Sequence, residues 1–402
     1  MKKRERRNAP EIRFEGFEED WEQRKFSNIV NRVSKQSNDA NLPKVEFEDI
    51  ISGEGRLNKD ISKKLDDRKG IVFEPNFILF GKLRPYLKNW LLPNFKGIAL
   101  GDFWVFESKN SSSIFTYYLI QTDKYQIVAN LSSGTKMPRS DWKTVSEEEF
   151  RVPSIEEQTK IGNFFKQLDD TIALHQEKLN KLKLMKKGFL QVMFPQNEET
   201  EPQLRFTNFT SSWEQRKLGD ISKNYEYGLN ASATEYDGEN KYIRITDIDD
   251  NSHKFLIDKV TSPDTDLSLA ANYLLEEGDI LFARTGASVG KTYIYDVQDG
   301  KVYYAGYLIR AKVKSEYDSQ FIFLNTLTSK YYNFVKITSQ RSGQPGINAK
   351  EYASFSILMP EKAEQVKIGN FFNQLDKTIA LHQTKLEKLQ SLKKAYLQKM
   401  FI

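Results

Sequence analysis

The stretch Arg284-Thr-Gly-Ala-Ser-Val-Gly-Lys-Thr292 contains the residue types of a phosphate cradle, directly after the strand-like run Gly278-Asp-Ile-Leu-Phe-Ala283. A nucleotide loop of that kind needs Gly-x-x-x-x-Gly-Lys-Ser/Thr, and it opens a helix whose amides meet the phosphate. With Gly290, Lys291 and Thr292 in the last places, the first glycine would fall at position 285, where Thr285 stands; Gly286 is one residue too close. The Tyr-Ile-Tyr-Asp-Val that follows is β-branched and aromatic and has no helical stripe. The sequence therefore argues against a nucleotide here and leaves the basic, glycine-containing loop to another anion.

Other enzymatic signals are weaker. Pro263-Asp264 with Asp299 and Lys301 loosely matches a metal-dependent nuclease core, but the residue types are common and the spacing is long. No Asn-Pro-Pro-Tyr motif for adenine methylation occurs, nor a glycine loop suited to S-adenosylmethionine. The absence of cysteine excludes disulfides, thiol nucleophiles and Cys-ligated zinc. Of three histidines, His175 and His382 fall at equivalent positions of two helical segments, where a register-setting polar residue or a partner contact is a better reading than a metal site.

Basic residues on polar loops remain. In one block Phe77-Ile-Leu-Phe80 leads into Gly81-Lys-Leu-Arg-Pro-Tyr-Leu-Lys88, and in the other Asp279-Ile-Leu-Phe-Ala283 leads into Arg284. Matching the shared Ile-Leu-Phe sets Lys82 opposite Arg284. Each block also carries a basic loop before its last helix, SSGTKMPRSDWK (132–143) and SQRSGQPGINAK (339–350). Arg and Lys supply charge to phosphates, glycine permits close approach, and Arg, Gln and Asn can bond base edges. An ordinary solvated loop has the same composition. The candidates for phosphate or base contact are Lys82, Arg84, Lys136 and Arg139, then Arg284, Thr285, Ser288, Lys291, Arg341 and Gln344.

The elements that must hold these loops are built twice. Residues 153–194 and 360–401 align without a gap at an offset of 207, with 28 identities in 42 positions. A shorter arm recurs at an offset of 192: RFEGFEEDWEQRK (13–25) and RFTNFTSSWEQRK (205–217). The long repeat is helical, with apolar residues at Ile161, Phe165, Leu168, Ile172, Leu179, Leu182, Phe189 and Met193 and again at Ile368, Phe372, Leu375, Ile379, Leu386, Leu389, Tyr396 and Met400. Pro153 and Pro360 stand just ahead, where a helix entrance tolerates proline. Two such seams can cover each other as an antiparallel pair about a pseudo-twofold axis; alternatively each packs only on its own block. Lys186 and Lys393 interrupt the seam at equivalent places, either snorkelling outward or marking where it opens.

The expected organisation is an arm (1–25), a first variable block (26–152), a helical spacer (153–194), a linker and repeated arm (195–217), a second variable block (218–359) and a second spacer (360–402). The segment PQNEETEPQ (195–203) is the linker. The fold class is α+β: two mixed α/β blocks separated by a pair of long antiparallel coiled-coil helices with an internal pseudo-twofold repeat.

This arrangement resembles the specificity subunit of type I restriction-modification systems over essentially the whole chain. The residues that carry the likeness are EQTKIGNFFKQLDDTIALHQ with its copy EQVKIGNFFNQLDKTIALHQ, the WEQRK arms, and GDILFARTGASVGK and LFGKLRPYL in the blocks. The resemblance implies two target-recognition domains, each reading one half of a bipartite, asymmetric site in double-stranded DNA. It implies helices that space them and dock two modification (methyltransferase) subunits, with restriction (translocase/nuclease) subunits joining. It also implies a chain without catalysis or cofactor of its own, with S-adenosylmethionine, ATP and Mg on the partner subunits. The alternative is a coiled-coil protein-binding scaffold whose two blocks bind ligands other than DNA.

Composition permits this reading without requiring it. Lys and Arg number 60 against 55 Asp and Glu, a net charge of +5, so any anion-binding surface depends on local clustering. At 402 residues with 39% hydrophobic content, two or more cores are expected. The charged opening lacks the apolar stretch of a secretory signal, and no run of about 18 apolar residues occurs. The expectation is a cytoplasmic protein with no membrane contact.

Overall fold

The two WEQRK arms become strands that clamp the entrance of each long helix. Glu22–Lys25 pairs antiparallel with Glu149–Val152, and Glu214–Lys217 pairs antiparallel with Ser356–Met359. Ahead of each strand a buried tryptophan, Trp21 or Trp213, anchors the arm in a core. Arg13 closes a two-pronged bond on Glu157 (2.7 and 2.8 Å), and Arg205 does the same on Glu364 (both 2.8 Å). Both carboxylates are fully buried in the first turns of their helices, so the guanidinium fork is what makes that burial tolerable.

These contacts come from a computed structural model that describes residues 9–62, 67–131, 136–196, 199–340 and 343–402. The chain forms two compact units: the first comprises residues up to Lys178 together with His382–Ile402, and the second comprises Leu179–Leu381.

Both units are organised around the same four-stranded antiparallel sheet. In the first, the spatial order is Val30–Val33, Phe103–Ser108, Ile78–Gly81, Trp90–Leu91; in the second it is Ser222–Tyr227, Leu308–Val313, Asp279–Ala283, Thr292–Ile294. The inner strands Ile78–Gly81 and Asp279–Ala283 read as nearly continuous apolar runs because both faces are covered. Ile78 and Phe80 enter one core while Leu79 enters another, and Ile280 and Phe282 are divided from Leu281 and Ala283 in the same way. Two short helices back each sheet, Ser113–Leu119 with Asp123–Ala129 and Ser319–Asn325 with Ser329–Thr338. The variable blocks share little sequence but keep one frame.

The long helices are Ile155–Val192 and Lys362–Lys399, each 38 residues, or about 57 Å at 1.5 Å per residue. Within each unit they run antiparallel. In the first, Phe164 meets Tyr396 edge-on (5.1 Å) and Asp169 meets Lys393 (2.7 Å). In the second, Phe189 meets Phe371 edge-on (5.0 Å) and Lys186 meets Asp376 (2.7 Å). Lys186 and Lys393 therefore neither snorkel into solvent nor mark an open seam. Each reaches a carboxylate on the facing helix, and the pairing is set by an antiparallel register that one helix's periodicity does not contain. His175 and His382 face each other, Nδ1 to Nδ1 at 3.2 Å. Two ring nitrogens at that distance need one donor and one acceptor, which keeps at least one imidazole neutral. Partial burial and the neighbouring Lys385, His382 and Lys178 hold His175 below the usual histidine range.

The cores are finished by residues remote in sequence. Phe401 packs on Phe115 (5.1 Å), Phe165 (5.9 Å) and Trp21 (6.4 Å) in the first unit. Its repeat equivalent Phe194 packs on Phe321 (5.4 Å), Phe372 (6.1 Å) and Trp213 (6.4 Å) in the second. Among the described residues, no helix is long and apolar enough to cross a membrane.

Candidate nucleic-acid interface

Each shared sheet ends in a loop of the same construction. In the first unit, Lys82 N–H donates to the Asp102 carbonyl (2.9 Å), Leu83 bridges Arg139, and Arg84 N–H donates to the Pro138 carbonyl (2.7 Å). In the second, Arg284 N–H donates to the Tyr307 carbonyl (3.0 Å), Thr285 bridges Gly346, and Gly286 N–H donates to the Pro345 carbonyl (3.0 Å). Lys82 and Arg284 thus occupy one position of one frame. The basic loops that precede the long repeats are the other half of the same structure, since Pro138-Arg139 and Pro345-Gly346 provide the bonds that hold it.

The frame also requires left-handed backbone. Gly286 and Gly290 have φ of 79° and 88°, and their counterparts Arg84 and Lys88 have φ of 49° and 55°. A Cβ on Gly290 would lie 2.5 Å from Val335 Cγ1, so glycine is demanded there by space as well as by conformation. Arginine and lysine hold the same backbone shape in the first unit at a cost of about 1 kcal/mol or more each. Such strain at a half-buried arginine and an exposed lysine is a pattern found at binding sites.

Several amides of RTGASVGKT are committed within the protein. Val289 N–H donates to the Gly286 carbonyl (3.1 Å), Gly290 N–H to the Ala283 carbonyl (3.0 Å) and Lys291 N–H to the Ser288 carbonyl (3.1 Å). Together with the Gly286 N–H on the Pro345 carbonyl, these bonds close the turn on itself.

The side chains divide into those the frame gathers and those it does not. In the first unit Lys82 and Arg139 flank Asp102 (3.6 and 3.0 Å). Arg84 has no ion pair among the described residues, and its Nε is buried without a partner. Lys136 is exposed two residues before Pro138, with no described contact joining it to the cluster. In the second unit the guanidinium of Arg284 lies over the rings of Tyr227 (5.1 Å) and Tyr307 (5.7 Å). Thr285 Oγ1 lies 3.5 Å from the Pro345 carbonyl, and a Cβ on Gly286 would come within 3.3 Å of Gln344 Nε2, which puts Gln344 beside the turn. Ser288 is partly buried within the turn. Lys291 turns inward: its side chain is 10% exposed, with Nζ on Asp250 (2.5 Å) and the Ile248 carbonyl (3.0 Å). It braces the loop against residues 248–250. Arg341 lies outside the described residues.

Sequence reasoning missed Asp102, Tyr227 and Tyr307. A signal existed for two of them: Asp102 and Tyr307 both stand just ahead of the strand that pairs with Ile-Leu-Phe, so matching the blocks strand by strand would have found them. Tyr227 has no such mark.

Comparison with known proteins places this geometry among others. The family described as "Type I restriction modification DNA specificity domain" matches residues 18–184 and 210–391. The specificity subunit of the type I restriction enzyme MjaIX of Methanocaldococcus jannaschii is 29% identical over 196 residues, 44% of this chain and 43% of that protein. The HindI specificity subunit of Haemophilus influenzae is 25% identical over 195 residues, 48% of this chain and 41% of that one. These alignments span less than half the length of either relative. A crystal structure of the type I restriction-modification S subunit from M. genitalium superposes over 98% of this chain and 99% of its own, with a TM-score of 0.65 at 14% identity. A chain from a structural study of type I system assembly superposes over 96% of this chain and 98% of its own, with a TM-score of 0.52 at 17% identity.

Proposed function

The chain belongs to the type I restriction modification DNA specificity family, and on that premise we propose that it selects the DNA sequence on which a type I restriction-modification complex acts. The observation that carries this reading is the pair of matching loops with unlike side chains, Lys82, Arg84 and Arg139 around Asp102 in one unit and Arg284 between two tyrosines in the other. A duplicated frame with different chemistry suits a DNA site of two unlike halves. Residues 26–152 and 218–359 are the target-recognition domains, each reading one half, and the helices at 153–194 and 360–402 space them and dock two modification subunits. Restriction subunits join that assembly in the cytoplasm.

The residues proposed for DNA contact are Lys82, Arg84, Lys136 and Arg139 in the first domain and Arg284, Thr285, Ser288, Arg341 and Gln344 in the second. Lys291 acts through the loop it braces. The chain has no catalytic step of its own: S-adenosylmethionine, ATP and Mg belong to the partners, and methyl transfer and cleavage occur there. Deleting the gene and mapping genomic N6-methyladenine tests the proposal. A gapped, two-part methylated motif disappears on deletion and returns with the gene; an unchanged methylome refutes the reading.

A further inference from the structure

We propose that Arg284, whose guanidinium lies over the rings of Tyr227 and Tyr307, reads a guanine in the half-site taken by the second unit. This rests on the DNA reading above and adds a base to it.

Two large aromatic residues are left in solvent around one cation. Tyr227 and Tyr307 are 43% and 62% exposed, so neither serves the core. Their rings lie 5.1 and 5.7 Å from the guanidinium carbon, close enough for cation–π attraction to restrict the tilt of the guanidinium plane. The backbone beneath is fixed on both sides: Arg284 N–H donates to the Tyr307 carbonyl (3.0 Å), and Ile347 N–H donates to the Arg284 carbonyl (2.9 Å). Tyr227 is tied in as well, its hydroxyl accepting from Ala349 N–H (3.4 Å).

The guanidinium itself is uncommitted. Among the described residues it has no carboxylate partner, and its Nε is buried without an acceptor. Arg310, in the same sheet, shows what a structural arginine looks like here: it lies over Tyr304, bonds Glu226 and the Leu274 carbonyl, and sits 3.5 Å from Asp279. Arg284 has the aromatic contact without the acids. A preset planar fork with free donors matches the O6 and N7 acceptors of guanine in the major groove, the commonest specific arginine contact with DNA. At the same position the first unit carries Lys82, a point charge 3.6 Å from Asp102, so its half-site is read by different chemistry.

A phosphate would also attract Arg284, and the two roles separate by experiment. Chromosomal Arg284→Lys, Arg284→Gln, Tyr307→Ala and Tyr307→Phe variants are compared with wild type by mapping methylated motifs across the genome. Lysine keeps the charge and loses the fork. The expected result for Arg284→Lys, Arg284→Gln and Tyr307→Ala is a motif whose far half is unchanged. One guanine of the near half becomes degenerate, with discrimination at that position falling about five- to 150-fold. Tyr307→Phe, which keeps the ring, retains the wild-type motif. Methylation that falls evenly at all sites with the motif intact, or an Arg284→Lys variant indistinguishable from wild type, assigns Arg284 to a phosphate and overturns the inference. So does relaxation at a base other than guanine. A wild-type motif without two gapped halves instead overturns the DNA reading on which the inference rests.

Discussion

Replacing Phe401 with alanine should open the first unit and leave the second closed, although Phe401 lies about 290 residues from the nearest strand of the sheet it supports, Phe103–Ser108. The ring is 7% exposed and is held by Phe115, Phe165 and Trp21. Truncating a buried phenylalanine costs about 3–5 kcal/mol, and the slight exposure argues for the lower end, about 3 kcal/mol. That loss multiplies the open population of the first unit roughly a hundredfold, since about 1.4 kcal/mol is tenfold. Hydrogen exchange read by mass spectrometry reports it directly: amides in Phe103–Ser108 and Asp123–Ala129 lose protection by about that factor, while those in Leu308–Val313 keep theirs. The mirror variant Phe194→Ala, at a ring 1% exposed against Phe321, Phe372 and Trp213, produces the opposite pattern. If both variants open the same unit, or if Phe401→Ala leaves Phe103–Ser108 fully protected, the assignment of helix ends to cores is wrong.

Two further expectations follow from the loops and from a buried histidine. Arg84→Gly relieves a left-handed residue (φ 49°) worth about 1 kcal/mol against a similar entropic penalty for glycine. The melting temperature should therefore stay within a few degrees while methylation at the native motif falls; a large loss of stability would show that Arg84 is structural. His253 is pushed below the ordinary histidine range chiefly by burial, with its Nδ1 on the Thr292 carbonyl (2.8 Å) resisting that shift. A folded pKa below the unfolded value of about 6.5 means full stability above that pH and loss as pH falls beneath it. Denaturant titrations between pH 7.5 and 5.5 should show a steeper decline for wild type than for His253→Gln, and equal slopes would remove His253 from the account.

The duplication and the two long helices were legible because their signals are local. Helical period and a 28-identity duplication need only local comparison of the sequence. The match of Ile-Leu-Phe in both blocks correctly set Lys82 and Arg284 in one position, because that strand is buried on both faces and tolerates little change. Residue type alone, by contrast, could not distinguish Lys291 from Arg284. Both are cations at the ends of one loop, yet one is turned onto Asp250 and the other lies between tyrosines.

What the sequence by itself determined is therefore the repeat, the pair of helices and the loops that carry charge. Tertiary structure alone decided which side chains those charges meet. Tyr227 is 57 positions from Arg284 and reaches it only because their strands, Ser222–Tyr227 and Asp279–Ala283, flank Leu308–Val313 in one sheet. His175 meets His382, and Lys186 and Lys393 find Asp376 and Asp169, only in the antiparallel register of the two helices. Phe401 completes a core at the other end of the chain for the same reason. Periodicity specifies which face of an element is apolar, but its partner is chosen by packing among surfaces that lie far apart in sequence.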